Sequence, residues 1–173
     1  MQPKIIHQEM IILAGMSFFG DPFDTSSPWS EENQIGALWK RLMAFLQSHP
    51  DALHLDLQRS PYYEVHIYGP ETETEGMFEV FVGLNLPELT GLPLEMTAKV
   101  LPATKYACLT LKGSAIMGDW ESELLTWIKE NGYQEAHPYH FQLYDERFKG
   151  MERIEESILN VYIPVETKHE STD

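Results

Sequence analysis

The chain has 173 residues and a formal net charge of −15, with 27 Asp and Glu against 12 Lys and Arg. Nucleic-acid-binding domains neutralise phosphates with clustered Lys and Arg, so this balance argues against direct nucleic-acid binding. No apolar run approaches the length of about 20 residues that a membrane helix needs. The single cysteine, Cys108, cannot form an internal disulfide, and no signal peptide is recognisable. We therefore expect a cytoplasmic protein that does not associate with membranes.

The first half of the chain is predicted to contain one helix between strands. Its predicted strands cover residues 5–18, 62–68 and 77–86. A loop over 20–29 carries Gly, Pro and Ser, and Ser30 is the predicted N-cap of a helix that ends before Pro50. Apolar residues, Trp39 among them, recur at helical spacing along that helix. An acidic turn over 69–76 is predicted to join the last two strands.

The second half repeats this order, with two predicted strands before its helix. Its predicted strands cover residues 94–100, 103–111, 139–146 and 157–164. The helix has Asp119 as its predicted N-cap, and Gly132 suits the left-handed position at its C-terminal end. A connector over 87–93 joins the halves, and residues 166–173 form a polar tail. The pattern predicts a single α+β domain over residues 1–165.

A short internal repeat links the two halves. The segment YEVHIY at 63–68 returns as YHFQLY at 139–144, and each is followed by a strand that ends in an aliphatic residue and proline. Two βαββ units, over about 4–87 and 94–165, are predicted to share an antiparallel sheet with pseudo-twofold symmetry. Grooves between such units often hold small ligands.

Six further segments have a recognisable order and spacing. They are FEVFVG at 78–83, LPATKYA at 101–107, KGS at 112–114, the stretch 127–133, YDERF at 144–148 and VYIPV at 161–165. Together they resemble the GyrI-like effector-binding superfamily. It includes the drug-sensing domains of multidrug-responsive transcription regulators, the DNA gyrase inhibitor protein and stand-alone cytosolic versions. The resemblance implies a duplicated βαββ fold with an aromatic-lined groove that accepts lipophilic, often cationic, small molecules. We expect no cofactor.

One position departs from the pattern of the superfamily. Many relatives carry a glutamate in a Phe-Glu-x-Tyr stretch that meets the positive charge of the ligand, whereas residues 141–144 here read Phe-Gln-Leu-Tyr. An amide at Gln142 offers only a dipole and hydrogen bonds. Glu64 and Glu79 are the candidates to replace the missing carboxylate. The alternative is that each is a solvated residue at a strand end.

Strand alternation and the repeat together predict the ligand-binding residues. Gln142 and Tyr144 share a strand face, and the repeat maps them onto His66 and Tyr68. Aligning the prolines of the two halves adds residues from the neighbouring strands. The full predicted set is His66, Tyr68, Phe81, Gln142, Tyr144, Tyr162, Trp39 and Glu79. For each aromatic residue the alternative is ordinary core packing.

No catalytic motif or metal-binding spacing is recognisable, and the seven histidines are scattered. We therefore expect a cytosolic protein that binds a lipophilic or cationic small molecule, like an effector-binding domain without its DNA-binding partner. Two alternatives stay open. The first is a protein antagonist that acts on a partner such as a DNA-processing enzyme. The second is a hydrolase of a reactive small molecule, which would need Glu79 or Glu64 as the base.

Overall fold

In the computed structural model, which describes residues 2–23 and 33–168, nine antiparallel strands of this part of the chain form one sheet. The strands are β1 (Lys4–Gln8), β2 (Ile11–Gly20), β3 (Tyr62–Ile67), β4 (Phe78–Leu86), β5 (Thr97–Leu101), β6 (Thr104–Lys112), β7 (Tyr133–Glu135), β8 (Tyr139–Tyr144) and β9 (Ile158–Thr167). Their order across the sheet is β1-β6-β9-β8-β3-β4-β2-β5, and β7 also pairs with β9.

The helices in the described residues are α1 (Gln34–Ser48), α2 (Pro70–Glu75) and α3 (Trp120–Glu130). Short 3₁₀ segments cover Gly113–Met117 and Met151–Glu156. The side chain of Asn33 accepts a hydrogen bond from the Gly36 amide and caps α1, and Asp119 caps α3 in the same way. None of the helices in the described part of the chain is long and apolar enough to cross a membrane.

Both long helices cover the same face of the sheet. Leu38, Leu42 and Leu46 of α1 pack on β2 and β4, in one cluster with Val80 and Val82. Leu124 and Ile128 of α3 pack on the other half of the sheet, against β6 and β9. The central strands β3 and β8 lie between these two clusters, so a gap separates the helices above the middle of the sheet.

The sheet curls so that the residues on its opposite face enclose a second core. Only Glu9 and Met10 connect β1 at one edge to β2 near the other edge, and Pro102 and Ala103 connect β5 to β6 in the same manner. Linkers this short hold the two ends of the sheet close together. The buried residues inside, which we call the enclosed core, are Ile11, Leu13, Tyr63, Val65, Phe81, Leu101, Tyr106, Cys108, Tyr139, Phe141 and Tyr162.

The α+β class is confirmed, but several local predictions are wrong. The predicted first strand over 5–18 is two strands, because β1 and β2 join different parts of the sheet. The predicted turn over 69–76 is the helix α2. Its first residue is Pro70, and Gly76, with φ of 71°, caps its C-terminal end. The predicted tail begins inside β9, since β9 extends to Thr167 and pairs with β7.

Some sequence predictions are not tested by this structure. Ser30 and most of the loop over 20–29 lie outside the described residues, and the cap observed on α1 is Asn33. The internal duplication and the repeat boundaries stay predictions.

Candidate functional site

A cavity of about 850 Å³ lies in the gap between α1 and α3, above the centre of the sheet. Aromatic side chains form part of its walls. The aromatic residues that form them include Trp39, Tyr68, Phe78, Trp120, Tyr144 and Phe148. A mostly apolar cavity with a few polar groups is the usual form of a small-molecule site.

The floor of the cavity is polar, because strand alternation brings four polar side chains to it. Glu64 and His66 come from β3, and His140 and Gln142 come from β8. Glu64 is paired in register with Gln142, and His66 with His140. All four residues are buried. Buried polar groups require partners, and each of the four has one.

Glu64 is the most deeply buried carboxylate of the cavity, with 5% of its surface exposed. Its Oε2 accepts a hydrogen bond from Trp39 Nε1 at 2.6 Å, and its Oε1 lies 2.7 Å from His66 Nε2. Burial by itself raises the pKa of Glu64, but the contacts with His66 and Trp39 outweigh it and the pKa is lowered. Glu64 is therefore ionised at neutral pH. An ionised carboxylate only accepts, so Nε2 of His66 carries the donated proton.

His140 is the centre of a second polar group. Its Nδ1 lies 2.9 Å from the Tyr68 hydroxyl and 3.3 Å from Glu121 Oε1. Burial lowers the pKa of His140, although contact with Glu121 acts in the opposite direction. Burial raises the pKa of Tyr68, so its hydroxyl stays protonated and remains a donor. Burial also acts to raise the pKa of Glu121, but His140 outweighs it and the pKa is lowered.

The two histidines connect these groups. The rings of His66 and His140 are 4.8 Å apart between centroids, at an interplanar angle of 37°. Glu64, His66, His140 and Glu121 thus form a continuous line across the cavity floor, which we call the acid–histidine row.

Gln142 is held beside this row by Tyr144. The Tyr144 hydroxyl donates to Gln142 Oε1 at 2.7 Å, and the ring of Tyr144 packs edge-on against Trp39 at 5.2 Å. Burial, together with the charge of Glu64, raises the pKa of Tyr144 well above its ordinary value. The hydroxyl is therefore a neutral donor at every physiological pH.

Five of the residues predicted from the sequence line the cavity. They are Trp39, His66, Tyr68, Gln142 and Tyr144. Their role in binding stays a prediction, but the structure does bring them together. Glu64, one of the two candidates for the missing carboxylate, lies among them.

The other three predicted residues lie elsewhere. Phe81 and Tyr162 belong to the enclosed core, on the opposite face of the sheet. The register explains this, since Val80 is the residue of β4 beside His66 and Val161 is the residue of β9 beside Gln142. Glu79 is paired in register with Ile67, and its carboxylate forms an ion pair with Lys99 at 2.7 Å.

Other cavity residues were not predicted from the sequence. Those that matter most for its chemistry include Phe78, Trp120, Glu121 and His140. Strand alternation already places His140 on the same face as Gln142, so His140 could have been predicted from the sequence. The rotation of α3 that brings Trp120 and Glu121 to the cavity depends on tertiary packing. Among the described residues, no three His, Cys, Asp or Glu side chains are grouped so that they could hold a metal ion.

The fold and this cavity can be compared with known proteins. Residues 1–166 match the family described as the GyrI-like small molecule binding domain. The match covers nearly the whole chain, so the protein belongs to this family. It is a small-molecule-binding domain related to the effector-binding domains of transcription regulators.

Among individual proteins, the chain is 29% identical over 168 residues to the transcriptional regulator BrlR of Pseudomonas aeruginosa. The similar region is 95% of this chain and 56% of BrlR. The chain thus spans about half the length of that regulator.

Two solved structures share the fold. The structure of SAV2435 bound to tetraphenylphosphonium superposes with a TM-score of 0.66 at 14% identity, over 96% of this chain and 94% of that chain. The C-terminal domain of EcmrR gives a TM-score of 0.66 at 15% identity, over 96% of this chain and 98% of that chain.

Proposed function

We propose that the cavity binds a bulky lipophilic small molecule that carries a positive charge, and that Glu64 provides the counter-charge. The observation that carries this proposal is the Glu64 carboxylate, almost fully buried on the cavity floor, where it accepts from Trp39 and lies beside His66. An ionised group in such surroundings is costly unless it is paired and hydrogen-bonded. A cationic ligand would add an opposite charge to a carboxylate that is already oriented.

The position of Glu64 supports its assignment as the counter-charge. It lies directly across from Gln142, on the adjacent strand. Gln142 stands where the resemblance to GyrI-like proteins leads us to expect a glutamate. The carboxylate is thus present in this cavity, displaced by one strand. Glu79, the other candidate, is paired with Lys99 and does not line the cavity.

The charges around the cavity favour a cation as well. Its acidic residues are Glu64, Asp119, Glu121, Asp145 and Glu146, whereas its basic residues are Lys40 and Arg59. Concave surfaces lined by one sign of charge concentrate ligands of the opposite sign. Each well-placed aromatic ring would add about 0.5–2 kcal/mol of cation–π attraction.

Trp39 links the aromatic wall to this charge. Its indole N–H is fixed on Glu64, and its ring packs against Tyr62 and Tyr144. A ring held in this way loses little conformational entropy when a ligand stacks on it. Trp39 and Trp120 both line the cavity, so a bound ligand should change the tryptophan fluorescence.

The test is a fluorescence titration with tetraphenylphosphonium, the ion named as bound in SAV2435, and with triphenylphosphine oxide as a neutral aromatic control. The wild-type protein should prefer the cation. Glu64→Gln should weaken cation binding about tenfold or more and leave the neutral control nearly unchanged. Glu79→Gln is the matched control, because it removes the same charge outside the cavity.

Equal loss of affinity in both variants would show that only the net charge of the protein matters, and would overturn the role of Glu64. Equal binding of the cation and the neutral control by the wild-type protein would overturn the proposed charge of the ligand.

A further inference from the structure

The acid–histidine row has a carboxylate at each end, and only one of them is used by the proposed function. Glu64 lies on the floor with 6% of its side chain exposed, whereas the side chain of Glu121 at the other end is 42% exposed. Two contacting imidazole rings separate the two carboxylates. A ligand with one charged group next to Glu64 leaves Glu121 unused.

We propose that Glu121 is a second anchor, and that the ligands best suited to this cavity are elongated bis-cations with two positive groups joined by an apolar spacer. This inference rests on the proposed function and specifies the ligand class of the same cavity.

The surroundings of Glu121 favour an anchoring role. It lies in the first turn of α3, where the amino-terminal end of the helix stabilises a negative charge. His140 and Tyr68 both contact its Oε1. Within the described residues its Oε2 has no hydrogen-bond partner, so this oxygen can contact a cationic group of a ligand without breaking an existing bond.

The path between the two anchors is aromatic, which fits an apolar spacer. Trp120 packs edge-on against His140 at 5.2 Å, and Phe78 lies 5.2 Å from His66 and 5.5 Å from Tyr68 between ring centroids. A charged or strongly polar spacer would lose hydration against these rings. A flexible or aromatic hydrocarbon spacer would bury its surface there.

The experiment compares α,ω-bis(trimethylammonium)alkanes of increasing length with alkyltrimethylammonium ions of the same lengths, by displacement of tetraphenylphosphonium. The quantity of interest is the ratio of bis-cation to mono-cation affinity at each length. We expect this ratio to pass through a maximum at the length that spans the row. Because Glu121 is partly exposed, Glu121→Gln should reduce the maximum about fivefold.

Glu123→Gln is the matched control, because Glu123 lies in the same first turn of α3 but does not line the cavity. It should leave the ratio unchanged. A ratio without a maximum, or equal weakening of both ligand types by Glu121→Gln, would overturn the second anchor. Failure of the proposed function appears differently: Glu64→Gln would then leave mono-cation binding intact, whatever the ratio does.

Discussion

The two faces of the central strands β3 and β8 have opposite chemistry. On the helix-covered face, Glu64, His66, His140 and Gln142 form a polar floor under an open cavity. On the other face, Tyr63, Val65, Tyr139 and Phe141 are packed into the enclosed core. Neighbours along the same strand therefore serve different purposes, since consecutive side chains point to opposite faces.

The residues that stabilise the fold and the residues that line the cavity are therefore different residues, alternating along the same strands. The enclosed core provides tight aromatic packing, as in the stacked pair of Phe141 and Tyr162 at 4.5 Å between centroids. The cavity face keeps ionisable groups that a packed core would exclude. Substitutions on the two faces should thus have different consequences.

The largest expected effect is on the enclosed core. Phe141→Ala removes a side chain that is 1% exposed and packed against Tyr63, Tyr106 and Tyr162. The lost burial and the cavity left behind should lower the free energy of unfolding by about 3–5 kcal/mol. Chemical denaturation followed by circular dichroism measures the loss.

Phe148→Ala is the comparison on the cavity side. Phe148 is only half-buried, and its ring contacts Tyr144 at the cavity wall. Its removal should cost less than half as much stability, because the space it leaves opens to solvent. Equal destabilisation by the two variants would contradict the division between the two faces.

The sequence predicted one of these faces better than the other. Alternation along β8 and the repeat with β3 were enough to bring His66, Tyr68, Gln142 and Tyr144 to one site. These inferences use positions along single strands, where the period of two is fixed by covalent geometry. The N-cap at Asp119 was also predictable, because capping depends on local sequence.

Relations between strands were not predictable in this way. The placement of Phe81 and Tyr162 depended on register, and a shift of one residue moves a side chain to the opposite face. The prolines at the ends of the predicted strands align the two halves of the sequence with each other. They do not show which residues of those strands pair with β3 or β8. The curl that buries Phe81 arises from linkers between sheet ends, which only the topology reveals.

An intermediate effect should appear in the pH dependence of stability. The pKa of His140 is lowered in the folded protein because the ring is buried. Below about pH 6.5, the ordinary pKa of histidine, His140 binds a proton in the unfolded chain but not yet in the folded protein. The unfolded state is favoured, so stability falls with pH until the folded pKa is reached.

His140→Gln should remove this part of the pH dependence, and denaturant titrations at a series of pH values would show it. The lowered pKa values of Glu64 and Glu121 act in a separate window. Their stabilisation is present above the ordinary glutamate value and is lost as the pH falls through their folded pKa values. His7→Gln, on the exposed edge strand β1, is the control. If the free energy of unfolding changes with pH equally in His140→Gln and in the wild-type protein, the neutral, buried state of His140 is wrong.

The smallest expected effects come from two tyrosine hydroxyls, one on each face. The Tyr106 hydroxyl is 2.7 Å from that of Tyr139 in the enclosed core, and the Tyr144 hydroxyl donates to Gln142 at the same distance in the cavity. Tyr106→Phe and Tyr144→Phe should each cost about 1 kcal/mol of stability, the usual net value of one hydrogen bond. Thermal and chemical denaturation would measure both.

The two variants should differ in their affinity for the ligand. Tyr106→Phe leaves the cavity intact and should not change the affinity for tetraphenylphosphonium. Tyr144→Phe releases the Gln142 amide beside Glu64, and a freed amide can rotate and donate to the carboxylate in place of a ligand. We therefore expect about fivefold weaker binding in that variant alone. A matching loss in Tyr106→Phe would mean that packing in the enclosed core positions the cavity floor, and that the two faces of β8 are not independent.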